Sequence, residues 1–347
     1  MKINIFKNKS ILITGGTGSI GSALVKGLIK KNCKVIRAMS NDENGLYDLS
    51  ELINNKKKIS FSEKMKKNKI RYILGDIRDY KRCLEVTKDI DIIIHAAALK
   101  HVPLCEFNPK EAYNTNVKGT KNLIKASKKN NIKKFLFIST DKVVNPVSVM
   151  GKTKKIAEKF ILNSNKKNNT LFSCIRFGNI IGSRGSVLPK FKKQIKDNEN
   201  LSLTDKNMKR YFLTIDKAVK NILLSIDIMK GNEIFIIGNL PNFKIMDLAE
   251  VIKKYYKKIL GYNKKIIITG IRSGERLNES LYDKKKHQYI FKYKNLIIIN
   301  EELKANNKIQ KYKYKIKRYY GDYSQSLATK KYIEKYLIVN NLLNINA

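Results

Sequence analysis

The sequence predicts an α/β protein built on a doubly wound parallel sheet, followed by a smaller C-terminal α+β region. Three features carry that expectation. Short apolar runs alternate with helix-patterned stretches through the first half. A glycine-rich loop joins the first run to the first helix, and beyond Phe177 the alternation breaks into Gly/Ser loops. With 347 residues and 42% apolar side chains, the chain has material for one or two cores and is no disordered segment.

Ser10–Thr14 (SILIT) reads as a buried strand, after which Ile20, Leu24, Gly27 and Leu28 recur on one helix face. Lys34–Met39 is the second strand. A charged loop and helix follow from Asn41 to Lys69, and Ile70–Leu74 is the third strand, with Gly75 and Asp76 at its end. Asp91–His95 is the fourth strand, closed by Ala96, Ala97 and Ala98. A helix around Ala112–Ser127 leads to the fifth strand, Lys134–Thr140, and a helix over Val149–Leu162 precedes the sixth, Leu171–Arg176. Strands separated by helices in this order imply right-handed crossovers and parallel pairing. One more helix–strand unit falls at Ile215–Gly238. Toward Ala347 the chain is lysine-rich, with a turn at Tyr320–Ser324 and a last helix over Leu327–Leu343.

Net charge is +43, which ordinarily points to nucleic acid or an anionic surface. Only ten of the 72 basic residues are arginine, and the lysines spread along the whole chain beside abundant Asn and Ile. That is the usage expected of A/T-rich codons rather than of a concentrated binding patch. Runs such as Asn54–Lys58, Lys64–Lys69 and Lys311–Arg318 read as solvated faces. The field favours a phosphate-bearing small molecule, and no nucleic acid partner is expected. Four scattered cysteines without a C-x-x-C pair and three histidines indicate neither a disulfide scaffold nor a metal site. No run of eighteen apolar residues offers a membrane span, and Ile11–Ile13 is too short for a signal-peptide core. A cytoplasmic, reducing location is expected.

Thr14–Gly21 (TGGTGSIG) lies between the first strand and the first helix. Gly15 allows the tight turn, Gly18 lets backbone approach a pyrophosphate, and Gly21 allows close helix–strand packing. The helix N-terminus then presents free N–H groups to phosphate. In this strand–loop–helix setting the motif predicts a Rossmann-type, dinucleotide-binding sheet. The second strand ends Met39-Ser40-Asn41, and its first acid, Asp42, comes slightly late for the adenosine ribose. Ser40 and Asn41 suit a 2′-phosphate, which favours NADP, with NAD the alternative. Asp76 is placed for the adenine edge or for a helix cap. The expected cofactor contacts are Gly15, Thr17, Gly18, Ser19, Ile20, Gly21, Ser40, Asn41, Asp76, Ile77, Ala96, Ala97, Ala98 and Lys154.

The fifth strand ends Ser139-Thr140-Asp141-Lys142, and the next helix carries Met150-Gly151-Lys152-Thr153-Lys154. With the glycine motif, His95–Ala98, Ala98–Pro103 (ALKHVP), Arg176–Val187 (RFGNIIGSRGSV), Met208–Phe212 and Gly270–Glu275, these stretches resemble the extended short-chain dehydrogenase/reductase superfamily. The resemblance is nearest to its UDP-N-acetylglucosamine 4,6-dehydratases of polysaccharide biosynthesis, and runs from about Ile11 to about Leu281. It implies oxidation at sugar C4 by a tightly held, recycled dinucleotide, loss of water across C5 and C6, and hydride return to C6. By analogy Asp141 is the acid for water loss and Lys142 the C5 base. Lys154 would hold the nicotinamide ribose. The superfamily usually has Tyr-x-x-x-Lys; here Met150 stands in the tyrosine position, and a thioether moves no proton. Thr140, Lys154 or an ordered water then remain as groups that deprotonate the 4-hydroxyl.

Substrate grip is expected from Lys100, Asn179, Ser183, Arg184, Arg210, Arg272 and Glu275, with Arg210 and Arg272 suited to bidentate phosphate contact. The implied division is a nucleotide-binding domain over 1–178, with a returning segment near 211–240, and a mainly substrate-binding domain over 179–347. The resemblance also implies a homo-oligomer, dimer or hexamer. The rival readings are a UDP-sugar 4-epimerase and a non-catalytic NADP-binding regulator.

Overall fold

A computed structural model of the chain describes residues 4–54, 69–165, 169–302, 316–319 and 326–344. The Tyr320–Ser324 turn and most of the lysine runs near residues 54–69 and 311–318 lie outside these. Strands β1 (Ser10–Thr14), β2 (Val35–Ser40), β3 (Ile70–Leu74), β4 (Ile92–His95), β5 (Lys134–Ile138) and β6 (Leu171–Arg176) pair in parallel in the order 3-2-1-4-5-6. Helices α1 (Ser19–Ile29), α2 (Glu43–Asn54) and α3 (Tyr80–Thr87) fall between the first four strands. The sequence reading passed over α3, whose N-cap Asp79 accepts from the Arg82 amide at 3.1 Å. The order reverses between β1 and β4, which places the ligand crevice at their carboxyl ends.

Between β4 and β5 the helix expected around Ala112–Ser127 is preceded by a further short helix and is itself interrupted. Pro103 and Pro109 each sit at the start of a short helix, α4 (Val102–Phe107) and α5 (Pro109–Tyr113). A π-helical stretch, Asn114–Gly119, then widens the turn before α6 (Thr120–Lys129). Strand β5 ends at Ile138, two residues before the expected Thr140, because the chain folds into a 3₁₀ turn over Asp141–Val143. Helix α7 (Val149–Asn163) follows, capped by the Ser148 hydroxyl on the Gly151 amide.

After β6 come β7 (Asn179–Ile180), α8 (Val187–Lys196), β8 (Leu201–Leu203), β9 (Lys209–Leu213) and α9 (Ile215–Ile228). Strand β10 (Ile234–Ile237) then extends the sheet beside β6 in parallel. The chain leaves for β11 (Asn242–Lys244), α10 (Ile245–Leu260) and β12 (Ile266–Ile268). It returns as an antiparallel edge formed by β13 (Ile290–Tyr293), β14 (Leu296–Ile299) and β15 (Lys317–Arg318). This edge had no signal beyond isoleucine runs among lysines. The last helix, α11 (Lys330–Val339), is shorter than expected and buries Ile333 and Leu337 against α10.

Apolar side chains fill both faces of the sheet, with Leu24, Leu28, Ile222 and Ile226 on one and Leu123, Phe135, Ala157 and Phe172 on the other. A separate core of Leu188, Phe191, Phe212, Phe243, Leu248, Ile252 and Tyr256 holds the smaller unit. Four cysteines lie buried and unbridged. Among the described residues no cluster of His, Cys, Asp and Glu is arranged for a metal, and no helix is long and apolar enough to cross a membrane.

Candidate active site

At the nucleotide end the glycines act through shape. Gly15 has φ +69°, and a Cβ there would meet the Ala97 amide nitrogen at 2.7 Å; one on Gly21 would strike the Gly15 carbonyl. Gly18 faces open space apart from that same carbonyl at 3.3 Å, and no side chain caps α1. Its first-turn N–H groups are left to a ligand, so the loop fits a dinucleotide pyrophosphate.

A hydrogen-bond chain pins the facing strand end. The Thr120 hydroxyl donates to the Asn116 carbonyl at 2.7 Å, so its oxygen accepts from His95 Nε2 at 3.0 Å. His95 Nδ1 then accepts from the Thr14 hydroxyl at 2.7 Å. Burial, with the nearby Lys154 charge second, holds His95 well below its usual range and neutral, as this tautomer requires. The chain fixes β1 against β4 directly beneath Ala96–Ala98.

At the end of β2, Ser40 bonds the Thr17 hydroxyl at 2.9 Å and accepts from the Asp42 amide at 3.2 Å, while Asn41 is exposed. Asp42 spends its carboxylate on the Gly45 amide at 2.9 Å, at the start of α2. Asp76 is engaged by Arg78 at 2.6 Å. Burial pushes its carboxyl up, but the Arg78 hydrogen bonds and charge outweigh that and hold it below the usual range. Ile77 is buried beneath Gly119.

The chemical end is built on the 3₁₀ turn after β5. Asp141 is 1% exposed; its Oδ1 accepts from the Thr140 hydroxyl at 2.8 Å and from Lys142 Nζ at 2.9 Å. Its Oδ2 is buried without a partner among the described residues. Lys154 reaches from α7 to the Ile138 carbonyl at 2.6 Å and lies over the Phe137 ring. Complete burial pushes its amine down to about 7. Met150, one turn earlier, is packed with Cys105 and Ala112.

Lys100 Nζ donates to the Arg184 carbonyl at 2.8 Å, and the Arg184 amide donates to Ser19 Oγ at 3.1 Å. The Gly182–Ser186 loop therefore bridges the nucleotide loop and the segment after β4, and Gly185, at φ +73°, packs on His101. Asn179 Oδ1 and Ser186 Oγ are buried without partners among the described residues. Arg210 is 6% exposed and spends its guanidinium on the carbonyls of Lys209, Arg276 and Leu277 at 2.8–3.0 Å. It is placed to act through the backbone that carries Glu279. Arg272 is exposed, with its amide donating to Glu275 at 3.2 Å, and Ser183 is half-buried.

Three functional candidates escaped the sequence reading. Asn116, in the π turn, holds both backbone groups of Leu99 and the Thr153 hydroxyl. Lys190 on α8 sits within electrostatic reach of Arg272 and Glu275. Glu279 brings a second buried carboxyl to 3.9 Å from Lys142 Nζ, with its Oε2 unpartnered among the described residues. Asn114–Gly119 is poor in helix formers but its composition does not specify a π turn, one lysine among so many carries no signal, and Glu279 stands 137 positions after Lys142.

Residues 11–301 match a family described as polysaccharide biosynthesis protein. An uncharacterised membrane protein of Methanocaldococcus jannaschii is 45% identical over 80% of this chain and 81% of its own. An inverting UDP-N-acetylglucosamine 4,6-dehydratase of Campylobacter jejuni is 38% identical over 86% and 85% of the two chains. A UDP-glucose 4-epimerase of Rickettsia bellii is 37% identical over 80% and 78%. Among solved structures, Pen from Bacillus thuringiensis superposes with a TM-score of 0.87 at 34% identity, over 98% of this chain and 100% of its own. A dTDP-glucose 4,6-dehydratase of Streptomyces venezuelae, solved with NAD, shares the fold at TM-score 0.68 and 21% identity, over 80% and 89% of the chains.

Proposed function

The chain belongs to the polysaccharide biosynthesis protein family, a branch of the extended short-chain dehydrogenase/reductases that holds nucleotide-sugar dehydratases and epimerases, and from that membership we propose a 4,6-dehydratase that converts UDP-N-acetylglucosamine to its 4-keto-6-deoxy product. The observation that carries the reading is the Asp141–Lys142 pair at the end of β5, buried at 2.9 Å with one carboxylate oxygen left over. Water elimination needs an acid and a base side by side; epimerisation has no use for the pair.

A bound nicotinamide supplies reversible redox at the sugar. The remaining work falls to side chains. Lys142 removes the C5 proton once C4 is a ketone, and Asp141 protonates the C6 hydroxyl as it leaves. The free Asp141 Oδ2 is the oxygen available to that hydroxyl. Thr140, whose proton is directed to Asp141, and Lys154, whose amine is pushed down to about 7, are the groups available to the 4-hydroxyl. Met150 contributes apolar packing at the position where a tyrosine would stand. Asn179, Ser183, Ser186, Lys100, Arg184, Arg272, Glu275 and Lys190 surround the proposed UDP-sugar site, with Arg210 steadying the segment after Glu275.

NADP is the proposed cofactor, supported by Ser40 and Asn41 at the end of β2 and by the engagement of Asp42 in its own cap. Buried, unbridged cysteines support a reducing, cytoplasmic setting. A homo-oligomer, dimer or hexamer, is supported by Leu104 and Phe107, which α4 leaves 60% and 83% exposed.

Mass spectrometry of UDP-N-acetylglucosamine incubated with purified protein and no added reductant tests the reading. A product lighter by one water, without net cofactor consumption, is expected. An isomer of unchanged mass would favour the second reading, a UDP-sugar 4-epimerase, the activity named for the Rickettsia bellii relative.

A further inference from the structure

Glu279 is the acid that the proposed chemistry leaves unemployed. Its side chain is 4% exposed and its carboxyl stands 3.9 Å from Lys142 Nζ, the same ammonium that Asp141 holds at 2.9 Å. Two carboxyls therefore share one cation in a buried space, and each has an oxygen without a partner among the described residues. Arg276 and Arg210, the other charges facing this space, direct hydrogen bonds to the carbonyls of Val144, Lys209, Arg276 and Leu277 rather than to Glu279. They hold the loop that carries Glu279 against β9 and the turn after β5.

We propose that Glu279 is a positioning residue that works un-ionised, and that its ionisation switches the Asp141–Lys142 pair off. The argument is one of proton count. With Glu279 neutral, the resting pair is a carboxylate beside an ammonium, and the proton on Lys142 can pass along their hydrogen bond to Asp141. That transfer arms both groups at once: an amine for C5 and a carboxylic acid for the C6 hydroxyl. When Lys142 takes the C5 proton and Asp141 gives its own to the departing hydroxyl, the resting pair is restored with every proton accounted for. An ionised Glu279 beside Lys142 holds the proton on the ammonium and opposes the transfer. Burial pushes the Glu279 carboxyl above the ordinary range. The Asp141 charge adds to that, while Lys142, Arg210 and Arg276 pull the other way.

The inference rests on the dehydratase reading for its turnover arm only. Carboxyl-¹³C NMR of glutamate-labelled protein, assigned by loss of the signal in Glu279→Gln, reads the titration directly. The Glu279 signal is expected to titrate above the usual glutamate range, lower in Asp141→Asn and higher in Lys142→Met. In turnover, Glu279→Gln removes the fall in rate that accompanies Glu279 ionisation, moving the alkaline limb of the pH–rate profile upward by about one unit, about tenfold in rate on that limb. An ordinary titration, or an alkaline limb that stays in place in an active Glu279→Gln, overturns the inference. A wild-type protein that releases no water defeats the dehydratase reading instead, and the NMR titration still decides the state of Glu279.

Discussion

Two buried charge clusters stand a few residues apart at the ends of β5 and β6, and they are built to opposite rules. In the first, Glu158 of α7 is 1% exposed; it accepts from the Ser139 hydroxyl at 2.8 Å and from Arg176 Nε at 2.9 Å, and pairs with Lys155 at 3.6 Å. Both its oxygens are used. Burial pushes this carboxyl up, but the Arg176 charge and hydrogen bonds hold it below the usual range. In the second, Asp141 and Glu279 crowd one lysine and each leaves an oxygen unused. A saturated cluster fixes the strand ends; an unsaturated one keeps polar capacity for something that arrives later. That contrast supports reading the first as a structural ion pair and the second as the proposed catalytic one.

Crossed substitutions break the comparison most sharply. Asp141→Asn is expected to lower turnover of UDP-N-acetylglucosamine by about 10²–10⁴-fold, the usual worth of a positioned acid. Its urea midpoint should stay near or above that of the wild type, because a buried, half-used carboxylate is removed. Glu158→Ala should do the reverse to the fold, losing about 3–5 kcal/mol by stranding Arg176 in the interior. Equal destabilisation in both variants would show that the two clusters do the same job.

The nucleotide loop was the more legible in sequence, whereas Glu158 carried no sign of its pairing with Arg176. A glycine that cannot carry a Cβ announces itself, and Thr14–Gly21 specifies its loop in eight consecutive residues. Asp141 and Lys142 are adjacent in the chain, so they too could be read. Glu279 is held near them by Arg210 on β9, which clamps the carbonyls of Arg276 and Leu277, and by Arg276 on the Val144 carbonyl, contacts no local pattern encodes. The same holds for Asn116, whose reach to Leu99 depends on a π turn that helix periodicity hides. Strand β5 was read two residues too long because Ser139 and Thr140 suit a strand by composition. Their side chains instead serve Glu158 and Asp141, and the backbone turns to let them.

Lys154 sharpens the comparison from between the clusters. Its amine is pushed down to about 7 by complete burial, with Cys174 and Glu158 opposing. An unfolded lysine keeps its proton to about pH 10.4. Between these values the unfolded chain binds the extra proton, so stability rises with pH through that window and the penalty is full below it. The slope is about 1.4 kcal/mol per pH unit. Lys154→Met should flatten the rise in urea unfolding measured at pH 7 and 8, and a slope equal to wild type would mean that the folded protein keeps this amine protonated, as the unfolded chain does.

Ser139→Ala is the mildest cut and the most discriminating. Only one of the Glu158 contacts is lost, at 2.8 Å, while Arg176 and Lys155 remain. A cost of about 1 kcal/mol is expected, the net worth of one hydrogen bond to a group that keeps other partners. Ser139 lies two residues from Asp141, yet its hydroxyl serves the saturated cluster alone. If the clusters are independent, turnover should survive this loss unchanged. A large fall in rate at that small cost in stability would mean that the strand end set by Glu158 also sets where Asp141 points, joining the two clusters into one device.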